Sequence, residues 1–355
     1  MVTGTGRAAV HRLFICAWEA ERVGLRRNLC GPTAIAFAAL ALGCGGSDFP
    51  RAAEPAASPP LRSRPAGTVT ELGARPEGMV FDRAAGLLAV VVREPDRLEF
   101  VDPATLAVVR GVPLPAPARH LALAPSGAAV LVPAEEANEV LEVAPRRGVL
   151  ASVPVGEHPH DAASAAGSVF VSDERADAVS VLRGGRDVAT LAAPAQPGGI
   201  TAVGGRYIVL VAVAERVLQV YDARTREALG RAPAGTGPTH VVGLGDAAYV
   251  ADTEAGLVRE FRIGRRPRQV ATAAAPGAPY GIDVDPRRRR LWVTLTARNR
   301  LAGYALGGRR PRRFAAYPTV RQPNSVAVDP RSGDVFVAGR GGRLQRISPS
   351  GGGAP

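Results

Sequence analysis

No lysine occurs in the 355 residues; all 44 basic side chains are arginine. Against 32 acidic residues that leaves a formal charge of +12. Alanine, glycine and proline are abundant, and arginine replaces lysine throughout. This pattern points to GC-rich coding, so part of the positive charge carries no functional message. Aromatic residues make up 5% of the chain and do not interleave with basic runs. Stacking platforms for bases are therefore missing, and no nucleic-acid partner is expected. Three cysteines, Cys16, Cys30 and Cys44, all lie near the start. Nothing beyond residue 44 can form an internal disulfide or a cysteine metal site. No GxSxG elbow, HExxH pair or P-loop is present, and neither a metal nor a cofactor is expected. No segment sustains a helical period.

What the chain does have begins with an address. Arg26 and Arg27 precede the apolar run TAIAFAALALG at 33–43. A positive region, a short apolar stretch and small residues before a cleavage point make up a secretory signal, which we assign to residues 23–43. The run is too short to cross a bilayer, which takes roughly 20 residues. Leu-Gly-Cys44-Gly-Gly-Ser-Asp resembles a bacterial lipobox, although Ala41 stands where leucine is commonest. That resemblance implies lipidation of Cys44, export, and anchoring on the periplasmic or extracellular side of a bacterial membrane. Membrane lipid would then be a partner through the acylated cysteine. Residues 1–22 carry Glu19 and Glu21, which do not suit a signal, so translation is expected to start near Val23 or Leu25. Residues 44–66 are rich in Pro, Ala, Ser and Gly without an apolar period and read as a disordered tether. Residues 350–355 read as a disordered tail.

From residue 67 a pattern recurs. Seven short strands open after similar turns: RPEGMVFD, PARHLALAP, HPHDAASAAG, QPGGITAVGG, GPTHVVGLGD, APYGIDVDP and QPNSVAVDP. Their aligned positions are Gly78, His120, Asp161, Gly199, His240, Gly281 and Ser325, at spacings of 42, 41, 38, 41, 41 and 44 residues. Each unit adds a β-branched second strand, a third after a polar loop, and a weakly patterned fourth. Four short strands per roughly 40 residues predict a propeller blade. The fold class is therefore all-β, a seven-bladed β-propeller over 67–349 with four antiparallel strands per blade. The last unit supplies three strands, and GTVTELGA (67–74) supplies the missing fourth, closing the ring and removing exposed edges.

VDPATLAVVRGVPL, ASVPVGEHPHDAAS, VFVSDERADAVSVL and LWVTLTARNRLAGYAL resemble the repeats of YVTN-type β-propellers of bacterial and archaeal cell envelopes. The resemblance covers 67–349 and implies the fold. Members include surface and binding proteins, and the seven-bladed lactonases are structural relatives, so function stays open.

Up-and-down blades put strand-one entries and the turns between strands two and three on one face. That face collects His120, His160, His240 and many carboxylates, among them Glu77, Glu135, Asp161 and Glu174. The other face collects arginine, in turns such as DPRRRR and GGRRPRR. Those turns offer either a surface for anionic lipid or polymer, or plain solvated loops. Candidate ligand residues at the channel mouth are His120, His160, Asp161, His240, Glu77, Tyr280 and Asn324. His120 and His240 belong to blades two and five and are expected on nearly opposite walls, too far apart to share a metal ion. Three readings of the histidines stand: strand-entry caps, ligand contacts, or a catalytic set with His160 and Asp161 activating water. The functional expectation is a monomeric envelope scaffold that binds a protein, polymer or small ligand at the mouth. The alternative is a hydrolase of lactonase type.

Overall fold

The computed structural model describes residues 51–349. The segments expected to be a signal peptide, the start of the tether and the tail, together with Cys44, lie outside the described residues.

Within them 28 strands form seven four-stranded antiparallel sheets. Six sheets take four strands consecutive in sequence, as in blade one: Arg75–Asp82, Leu87–Arg93, Arg97–Val101 and Val108–Pro113. The seventh takes Pro323–Val328, Val335–Gly339 and Arg343–Ile347, and completes itself with Thr68–Glu71. Thr68 pairs with Arg346 and Glu71 with Arg343, antiparallel, so the start and end of the chain's ring share one blade. The expected closure is the observed one.

Burial explains the sequence pattern. Second strands lie between neighbouring blades and are covered on both faces, so Leu88, Ala89, Val90, Val91 and Val92 are all fully buried. They read as unbroken apolar runs for that reason. Between blades one and two, Leu98 and Phe100 pack with Val130 and Val132. Each such side chain contributes about 1.5–3 kcal/mol on burial. Fourth strands form the rim; Val108, Val109, Val149, Leu150, Val188, Val270 and Phe314 are exposed there. Their weak pattern in sequence reflects a face that nothing covers.

First strands pack on one another around the axis. Five of them open with proline (Pro159, Pro197, Pro238, Pro279 and Pro323), where no backbone N–H is needed from the sheet. In blades one, three, four, five, six and seven the register slips immediately after a proline. Each slip is a bulge at the channel mouth, and a bulge re-aims the side chains it carries. Glycine then lets the blades close in. A Cβ on Gly78 would run into the carbonyl oxygen of Arg119, and one on Gly281 into that of Asn324.

Residues 51–66 depart from the expected tether. They lie on the propeller, with Ser58 only 5% exposed. Composition predicts disorder because little apolar surface can be buried; here side chains of the loops at 299 and 321–322 hold the segment by hydrogen bonds to its backbone.

Candidate site at the channel mouth

Strand-one entries deliver the site. Glu77, His160, Tyr280 and Asn324 sit in the bulges of blades one, three, six and seven. His120 lies two residues before the short first strand of blade two, and His240 follows the bulge of blade five. A cavity of about 230 Å³ opens at the axis, lined by Glu77, His120, Asp161, His240, Tyr280 and Asn324 among others. Six of the seven expected residues therefore share one cavity. The seventh, His160, stands behind its wall against His120.

The expected separation of His120 and His240 is wrong. Their Nε2 atoms are 3.3 Å apart. The blades do face each other across the axis, but tight strand packing leaves a bore that two imidazoles span. Four rings form a row across the mouth. His160 and His120 have centroids 4.7 Å apart, His120 and His240 4.8 Å, and His240 and Tyr280 4.4 Å edge-on.

Behind His160 lies a charged cluster. Its Nδ1 is 3.4 Å from Glu174 Oε2 and 3.7 Å from Glu135 Oε1. Arg93 and Arg119 each approach Glu135 at 3.1 Å, and His158 Nδ1 lies 3.1 Å from Glu174. Gln196 Nε2 donates to Glu174 at 2.8 Å. Glu77 pairs with Arg340 at 3.0 Å, joining blades one and seven.

These contacts set the protonation states. Burial disfavours a charge on His160, but the two carboxylates outweigh it and hold its pKa up to about 9. For Glu174 burial acts upward, yet its hydrogen bond and charge contact with His160 push its pKa below the usual range. Burial, with the His160 charge added, drops His240 to about 3 and takes His120 well below its ordinary value. At neutral pH the row therefore holds one imidazolium and two neutral imidazoles. The neutral pair shares a single Nε2 proton, one ring donating and the other accepting.

Asp161 is half-buried, and desolvation raises it to about 6 although it accepts the N–H of Ile200 on blade four at 3.1 Å. Sequence reasoning missed Asp283, deeper in the cavity, which burial raises to about 7 and which accepts the Val328 N–H at 2.8 Å. It also left out Arg119, His158, Glu135 and Glu174 as site members. A signal for the two glutamates existed. Glu135, Glu174, Val213, Thr253, Thr296 and Arg340 all donate their backbone N–H to the carbonyl of the residue three before the aligned strand-one position of their blade or the equivalent. They are one repeat position, a second ring outside the histidines. Among the described residues no three His, Cys, Asp or Glu side chains converge so as to hold a metal ion.

No family model matches this chain, and no curated protein does. Solved structures match its fold. A streptogramin B lyase is 12% identical, with a TM-score of 0.68 over 79% of this chain and 96% of that one. Hydrazine synthase of Kuenenia stuttgartiensis is 16% identical, TM-score 0.68, over 82% and 99%. Virginiamycin B lyase from Staphylococcus aureus is 13% identical, TM-score 0.66, over 79% and 98%. At such identities the likeness is one of fold. The chain is a seven-bladed β-propeller.

Proposed function

We propose that this is a YVTN-type envelope lipoprotein, anchored through an acylated Cys44, whose propeller binds a ligand or partner at the channel mouth. The carrying observation is convergence: residues of all seven blades meet on one cavity, with apolar walls that include Met79, Leu121 and Ile282. The mouth offers neutral imidazole, phenol, amide and carboxylate groups, a set that suits a small polar ligand or one side chain of an envelope protein or polymer. The test has two arms. Feeding cells a clickable palmitate labels the wild type and not Cys44→Ala; equal labelling removes the anchor. A thermal-shift screen of envelope extracts against the mature chain finds stabilisation that His120→Ala abolishes; stabilisation that persists in the variant removes the mouth.

One observation favours a hydrolase as a second reading. Neighbouring imidazoles are driven to opposite protonation states, the arrangement that assigns a base and an acid. Neutral His120 would take a proton from water, and the His160 cation would stand 4.7 Å away, beside the charge that develops. Several folds of this shape belong to lyases, so the scaffold tolerates chemistry. Lactone hydrolysis lost in both His120→Ala and His160→Ala supports this reading. Turnover unchanged in either variant sinks it.

A further inference from the structure

Residues 51–60 cross the channel mouth as an arch. Ala52 packs on the apolar cluster shared by blades four and five. Ala56 gives its carbonyl to Gln322 Nε2 of blade seven at 2.9 Å. Four residues reach about 14 Å at most, and blade seven stands three places round the ring from blade four and two from blade five. The short link between these two points therefore takes a chord across the mouth. Glu54, at its middle, lies near enough for its charge to act on Arg119 of blade two and Tyr280 of blade six.

The landing site on blades six and seven reads backbone. Asn299 Nδ2 donates to the Pro59 carbonyl at 2.8 Å, and Arg321 donates twice to the Ser58 carbonyl at 3.3 and 3.4 Å. Ser58 N donates to Gln322 Oε1 at 2.8 Å. One side chain is read as well. The buried Ser58 hydroxyl donates to the Thr296 carbonyl at 2.5 Å and accepts the Gln322 N–H at 3.1 Å. Prolines at 59 and 60 keep the segment extended and bring no N–H that would need a partner. Small residues precede the serine. The seat is also wired to the cavity, because Gln322 Nε2 donates to Asn324 Oδ1 on its wall at 3.2 Å.

We propose that residues 296–299 and 321–324 form a docking groove for an extended peptide of the type small residue–Ser–Pro. The chain's own residues 56–59 fill it in cis, and the arch thereby gates the channel mouth. The groove recognises backbone for affinity and one hydroxyl for specificity, as extended-peptide sites do. A tethered occupant acts at a high effective concentration, so a free peptide competes poorly until the arch is unseated. The gating half rests on the mouth being a ligand site; the docking half does not.

The test uses the full chain. Ser58→Glu sets a carboxylate against the Thr296 carbonyl and frees the arch while leaving the groove whole. A fluorescein-labelled peptide RAAEPAASPPLR, read by anisotropy, binds Ser58→Glu at least ten-fold more tightly than wild type. Adding Gln322→Ala, which cuts the groove itself, removes that binding. Diethylpyrocarbonate, which acylates neutral imidazole, modifies His120 and His240 at least five-fold faster in Ser58→Glu, read by mass spectrometry, and saturating peptide restores the slow rate. Thermal melts establish that each variant is folded. A folded Ser58→Glu chain that binds no peptide overturns the docking groove, and histidine rates equal to wild type overturn the gate. Neither readout involves a mouth ligand, so failure of the ligand-site reading leaves both unchanged.

Discussion

His120 and His240 stand on blades two and five, three places apart in a ring of seven, yet their Nε2 atoms meet at 3.3 Å. A contact across the axis ties together blades that share no strand. It is a hydrogen bond between neutral rings, which contributes about 1 kcal/mol. A double-mutant cycle with His120→Ala and His240→Ala is expected to give a coupling of that size in urea denaturation. Additive losses would mean that the rings are merely neighbours.

The His160 pKa makes stability depend on pH. Its folded value of about 9 lies above the ordinary 6.5, so the folded state holds the proton more tightly. Its contribution is complete below about pH 6.5 and is lost as pH rises through 9, by roughly 3 kcal/mol at most. His160→Gln is expected to flatten the melting temperature between pH 7 and 9.5. His240 acts in the opposite direction. Its folded value of about 3 means that the unfolded chain takes up the proton first, so stability falls as pH drops below 6.5. His240→Gln is expected to soften that acid limb.

Steric closure at the axis predicts a contrast between two glycines. Gly78→Ala pushes a methyl group into the Arg119 carbonyl, whereas Gly264→Ala meets nothing within 4 Å. Overpacking of this kind costs about 1–3 kcal/mol. Chemical denaturation is expected to show that loss for Gly78→Ala and less than about 0.5 kcal/mol for Gly264→Ala.

Ring closure rests on four residues. Deleting 68–71 strips the partner from Arg343–Ile347 and leaves a bare sheet edge. The expected result is a melting temperature lower by roughly 10 °C and concentration-dependent oligomers on size exclusion. A deletion that melts like the wild type and stays monomeric would show that the clasp is dispensable.

The fold was legible because the entry turns recur at nearly constant spacing and because second strands, buried on both faces, cannot hide their apolar runs. The fourth strands were faint for the complementary reason, since Val109 and Val149 face solvent. Placing Glu77, Asp161, Tyr280 and Asn324 on one mouth needed only strand direction. Distance across the mouth was another matter. It depends on how closely the inner strands pack, which glycine and the bulges decide in three dimensions. The partners of His160 were hidden for a different reason: Glu135 and Glu174 follow second strands, remote in sequence from the strand entries they serve. The arch was invisible because nothing apolar marks it. Backbone carbonyls hold it in place, and every sequence has those.

Ser58 also decides how the ring bears load. Its seat on blades six and seven comes before Thr68 in the chain, so tension arriving from upstream meets the Ser58, Gln322 and Asn299 bonds first. The strand that fastens the ring lies behind that seat, like a seam behind a strain relief. A pull on the N-terminal side would peel residues 51–60 from the mouth before it reached the clasp, opening the channel while the propeller stays shut.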